Sequence, residues 1–135
     1  MYSNPNSSGK TVLSAEPNNL MNVNSFKYSG LANSKAVGVE FAKDSKGRPC
    51  AAMTLKSSKN TLKPKKSVGK SIVKKTFPSV AGAISKQTKG ANYRPDMERA
   101  ALARWSQIHR ALRVQKGEQK PMVINTGRKN RKESA

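Results

Sequence analysis

The side chains that could do covalent or metal chemistry are few and poorly placed for it. Cys50 is the one thiol and His109 the one imidazole, so side chains alone cannot assemble a Cys/His zinc site or an internal disulfide framework. His109 lies between Ile108 and Arg110 with no histidine four residues on and no acidic neighbour, which leaves a general base nothing to orient it. The 7 acids are scattered, so no carboxylate pair is suggested for acid–base work. The patterns Gly-x-Ser-x-Gly, Gly-x-x-x-x-Gly-Lys-Ser/Thr and His-Glu-x-x-His are absent from the sequence. The expectation is a protein with no catalytic residue, no metal, no cofactor and no small-molecule substrate. Cys50, inside the apolar run Cys50-Ala-Ala-Met-Thr-Leu55, is expected to serve as a small buried hydrophobe in a reducing compartment.

The abundant chemistry is cationic. There are 27 Lys and Arg against 7 Asp and Glu in 135 residues, a formal net charge of +20. The charge is unevenly spread, because the first forty residues hold only Lys10, Lys27 and Lys35 against Glu16 and Glu40. Between Ser45 and Pro95 stand thirteen bases and no acid, whereas ordinary solvated surface mixes signs. Lys56, Lys59, Lys63, Lys65, Lys66, Lys70, Lys74 and Lys75 form its densest part. Ammonium groups on flexible stems neutralise phosphates without demanding fixed geometry. Arginine then overtakes lysine, at Arg94, Arg99, Arg110 and Arg113, and the tail carries Arg128, Lys129, Arg131 and Lys132. These sixteen positions are the expected contacts to a nucleic acid. A nuclear-import role for the lysine run is compatible with that contact, and the alternative partner class is chromatin.

Such a chain can build only a small core. Leu, Ile, Val and Phe number 23 of 135, below the roughly 20% at which high net charge signals disorder. Partial folding in low salt, completed by RNA, is the expected state of the free chain. No apolar run approaches the roughly 18 residues of a membrane span, and Met1 to Lys10 lacks the apolar stretch of a secretory signal, so no membrane partner is expected. The organisation expected is a flexible segment over 1–10, a single small domain over 11–117 and a basic tail over 118–135.

Positioning falls to short elements. Val37-Gly-Val-Glu-Phe41 and Cys50–Leu55, separated by the turn-rich Asp44–Pro49, predict a β-hairpin. Thr11–Ser14 and Val23–Tyr28, either side of Pro17-Asn18-Asn19, predict two more strands. On that strand Phe26 and Tyr28 would share a face with Lys27 between them, a stacking platform for unpaired bases unless the scarce rings are needed in the core. Ser67–Lys75 and Ser79–Lys86 predict two short basic helices interrupted by Pro78. The clearest start signal is Pro95, followed by Asp96 and Glu98, which suit the first turn of a helix. Met97, Ala101, Trp105, Ile108 and Leu112 then make one apolar stripe, ended by Gly117 and Pro121, with Arg99, Arg110 and Arg113 opposite. Trp105 is the expected core anchor, although a basic helix with one Trp also fits a calmodulin target or a membrane-surface helix. The fold class expected is α+β: a small antiparallel sheet in the first half, short basic helices and one longer amphipathic helix in the second, and termini disordered when free.

Two blocks carry a family resemblance. Glu16-Pro-Asn-Asn-Leu20, Asn24-Ser-Phe-Lys-Tyr-Ser-Gly-Leu31 and Lys35-Ala-Val-Gly-Val39, together with Asn92-Tyr-Arg-Pro-Asp96 and Ala100-Ala-Leu-Ala-Arg104, resemble the signatures of the eukaryote-specific ribosomal protein twenty-eight family of the large subunit. The resemblance runs from about Lys10 onward. It implies a structural constituent of the large subunit, lodged on ribosomal RNA beside other large-subunit proteins, in the cytoplasmic ribosome after nucleolar passage. Members usually carry a further hydrophobic segment near the start. Met1 to Gly9 is polar here, which puts one strand of the expected sheet in question.

Overall fold

A computed structural model describes residues 2–3, 11–60, 62–121 and 123. The expected flexible segment over 1–10, beyond Tyr2 and Ser3, and the tail cations Arg128, Lys129, Arg131 and Lys132 lie outside the described residues.

The predicted hairpin is the centre of the molecule. Strands β3 (Val37–Lys43) and β4 (Pro49–Lys56) pair antiparallel, Val37 opposite Leu55 and Lys43 opposite Pro49. Their turn closes through Asp44 N–H to Arg48 O (2.9 Å) and Gly47 N–H to Asp44 O (2.8 Å). Gly47 sits at φ 72°, left-handed backbone that glycine adopts without steric cost.

The third strand corrects the sequence reading. Ser67–Lys75 was expected to be helical, yet only one turn, α1 (Pro64–Ser67), is, and Val68–Val73 forms β5 antiparallel to β4. Val68, Ile72 and Val73 fit a 3.6-residue period by spacing, but they are β-branched and stiff at χ1, which favours a strand. The free edge of β4 then decides the matter, because pairing there satisfies its backbone groups from Ala51 to Lys56.

The amino-terminal strands are shorter than predicted. β1 (Tyr2–Ser3) pairs with β2 (Val12–Leu13), and the expected strand over Val23–Tyr28 shrinks to one bridge between Val23 and Leu13. Residues 24–28 turn instead, with Ser29 N–H bonded to Ser25 O at 3.1 Å. Phe26 and Tyr28 therefore do not share a strand face: Phe26 is 75% exposed, whereas Tyr28 packs against the core.

Helix α2 (Phe77–Ser85) has Pro78 in its first turn, where proline's missing N–H costs nothing, so Pro78 starts this helix rather than interrupting it. A π turn over Lys86–Gly90 and a 3-10 turn over Pro95–Met97 lead into α3 (Glu98–Gln115). The whole predicted stripe of Met97, Ala101, Trp105, Ile108 and Leu112 is buried against Val37, Val39, Ala51 and Met53 of the sheet and Val80 and Ile84 of α2. Trp105 Nε1–H donates to Phe77 O at 3.3 Å, and its ring stacks on that of Phe77 with centroids 5.8 Å apart. Cys50 is buried and unpaired in β4.

The asparagine turn caps the other end of the sheet. Asn18 takes φ 60°, a conformation asparagine tolerates, and its Oδ1 accepts a hydrogen bond from Thr54 Oγ1 at 2.5 Å. A Cβ on Gly38 would lie 2.3 Å from that hydroxyl, and one on Gly30 would lie 2.1 Å from Pro17 O. The turn can seat only because both positions lack a side chain.

Candidate nucleic-acid interface

The expected contact residues divide by what their charged groups already hold. Lys56 is committed: its ammonium donates to the carbonyls of Gly30, Leu31 and Asn33 at 3.1, 3.0 and 2.8 Å. Arg94 is equally engaged. Its guanidinium forms a two-point pair with Asp96 (3.0 and 2.8 Å) and donates to Lys27 O and Lys35 O at 3.0 and 2.9 Å. The hydrogen-bonded carboxylate raises the Arg94 pKa, and the same bond holds Asp96 below the usual carboxylate range. Tyr93 O–H, whose pKa burial pushes up, donates to Lys56 O. These groups together clamp the segment from Lys27 to Ala36 onto the sheet.

Lys74 is the third engaged cation. Its ammonium lies 2.6 Å from Asp44 Oδ1, with Arg48 at 3.4 Å from the other oxygen. The Lys74 hydrogen bond, helped by Ser45 N–H at 2.7 Å, lowers the Asp44 pKa from 3.8 to about 2 against an opposing desolvation. A depressed carboxylate pKa stabilises the fold above the unfolded value and loses that contribution as pH falls through the folded one. Stability should therefore drop as pH falls from 3.8 toward 2. Thermal unfolding followed by circular dichroism across that window should show a smaller drop for Asp44→Asn; equal drops would mean the carboxylate is not coupled to folding.

The remaining cations are available. Lys59, Lys63, Lys66, Lys70 and Lys75 are exposed and form no ion pair among the described residues. The Lys65 side chain lies outside the described residues. Arg99, Arg110 and Arg113 are exposed on the face of α3 opposite the buried stripe, as the 100° period requires. Among the described residues only Arg113 of the three has an ion-pair partner, Glu118 at 3.4 Å, a pair about half exposed on both sides.

Sequence reasoning missed Arg48 and Lys116, which stand near His109 at the hairpin end of α3. The signal for Lys116 was available, since it follows His109 by seven residues and so shares its helix face. His109 itself packs edge-on against Phe77 with centroids 5.0 Å apart.

A small α+β fold with few core residues, a buried helix stripe and exposed cations that mostly have no ion-pair partner among the described residues defines the class as a small, strongly basic protein. The model of the Ribosomal L28e protein family matches residues 2–111. The chain is 34% identical over 113 residues to the large ribosomal subunit protein eL28 of Schizosaccharomyces pombe, covering 80% of this chain and 79% of that one. It is 36% identical over 118 residues to the large ribosomal subunit protein eL28 of Dictyostelium discoideum, covering 82% and 79%. The chain belongs to the ribosomal L28e family, a family of structural ribosomal components and not of enzymes.

Proposed function

We propose that this protein is a structural constituent of the large ribosomal subunit that binds ribosomal RNA through the exposed lysines around β5 and the arginine face of α3. The observation that carries the reading is the family match over residues 2–111, which spans the elements presenting all of those cations except Arg113. Release of counterions from crowded phosphates supplies the affinity, and the shape of the sheet–helix unit sets the place. Neighbouring large-subunit proteins and a nucleolar passage during assembly belong to the same proposal. Nothing in the fold favours chromatin as the partner.

A tagged full chain should co-sediment with large subunits in a high-salt gradient, and its recovery with chromatin instead would refute the reading. For isolated ribosomal RNA, changing Lys59, Lys63, Lys66, Lys70 and Lys75 to Gln should flatten the plot of log affinity against log salt. Each lost phosphate contact removes about 0.7–0.9 from the slope, so an unchanged slope would show that these lysines do not meet phosphates.

A further inference from the structure

Two clefts of similar size are formed by described residues, and they differ in charge. One, of about 460 Å³, lies beside the asparagine turn and is bordered by Glu16, Glu40 and a single cation, Arg104, a balance that repels polyanions. The other, of about 450 Å³, opens between the β3–β4 turn, the link from β5 to α2 and the last turns of α3. Its volume falls within the roughly 300–1,000 Å³ of ordinary small-ligand sites.

The second cleft is segregated into floor and rim. Cys50, Trp105 and Leu112 contribute buried apolar surface, while Arg48, Lys75 and Lys116 are exposed around it. Between them stands the half-buried His109 ring, its plane fixed by Phe77 at 5.0 Å and Trp105 at 5.5 Å. Both carboxylates at the cleft are already neutralised, Asp44 by Lys74 and Arg48, and Glu118 by Arg113. Lys75 and Lys116 form no ion pair among the described residues. At the end of α3, Leu112 O, Val114 O and Arg113 O accept the N–H groups of Lys116, Gly117 and Glu118, each at 3.0 Å.

We propose that this cleft receives one unpaired nucleotide of RNA, its base against the His109 ring over the apolar floor and its flanking phosphates on Lys75 and Lys116. An apolar floor with a ring, set beneath a cationic rim, matches a flat base between charged phosphodiesters. Inorganic phosphate would use the rim alone. The inference rests on the RNA-binding reading above and assigns it a specific pocket.

The test uses the full chain and two RNA hairpins with equal numbers of phosphates, one fully paired and one with a single bulged nucleotide. Stacking of one base predicts about tenfold tighter binding of the bulged hairpin, and 4-thiouridine at the bulge should crosslink to residues of the cleft. Lys75→Gln with Lys116→Gln, both at exposed positions, should weaken the bulged hairpin more than the paired one and so narrow the preference, with an unchanged circular dichroism spectrum. Equal affinities for the parent chain, or a preference undiminished in the double variant, would overturn the proposal. Loss of salt-dependent binding to both hairpins would instead bring down the RNA-binding reading, and this pocket with it.

Discussion

Replacing Trp105 by alanine should cost about 3–5 kcal/mol of folding stability, the usual loss for a fully buried large aromatic. The ring is 2% exposed, stacks on Phe77 and donates its indole N–H to the Phe77 carbonyl, so the truncation opens a cavity and also removes that hydrogen bond. A small domain holds only about 5–15 kcal/mol in total, and this one must also offset repulsion among a net charge of +20. The variant should therefore be largely unfolded when free. Urea unfolding followed by far-ultraviolet circular dichroism measures the loss, since the only Trp is removed and fluorescence is of no use. Trp105→Phe should recover a substantial part. A loss below about 0.5 kcal/mol for the alanine variant, the range of ordinary surface changes, would contradict the packing described.

The opposite face of the same helix should fail in another way. Arg99, Arg110 and Arg113 changed together to Gln leave the buried stripe intact and, among the described residues, break only one ion pair, the half-exposed one of Arg113 with Glu118. Exposed pairs of that kind contribute about 0–1 kcal/mol, so the unfolding midpoint should hardly move. Binding should suffer far more. Charge-assisted hydrogen bonds are each worth about 1.5–3 kcal/mol, and losing even two of them means over a hundredfold in affinity. Incorporation of the tagged variant into large subunits, read from gradient fractions, should fall accordingly. Normal incorporation, combined with a Trp105→Ala chain that stays folded but no longer binds RNA, would show that the faces have been assigned the wrong way round.

What the sequence disclosed followed from how local each determinant is. The stripe of α3 was legible because five residues repeat at helical spacing behind Pro95, Asp96 and Glu98, and every one of them is buried. The β3–β4 hairpin was legible because alternation and a turn containing Gly47 agree. β5 was not, since its structure is settled by the vacant edge of β4 rather than by its own spacing. The same distinction separates the cations. Composition identifies Lys56, Lys74 and Arg94 as bases, but only tertiary structure shows their charges spent on carbonyls and carboxylates within the protein. Counting every lysine and arginine therefore overstates the number of phosphates the protein can neutralise. The asparagine turn, one of the blocks that carries the family resemblance, serves the fold directly through Asn18 and Thr54.

The clamped segment has a consequence for the order of events as the chain is made. Lys56 grips carbonyls 23 to 26 residues behind it, and Arg94 reaches Lys27 O across 67 residues and Lys35 O across 59. A ribosome adding about 5–20 residues per second needs about 3–13 s to go from Lys27 to Arg94. Throughout that interval Phe26 and Leu31, which remain 75% and 65% exposed even in the finished fold, belong to a nascent segment that still lacks at least one of its fastening residues. The segment is translated early and secured late.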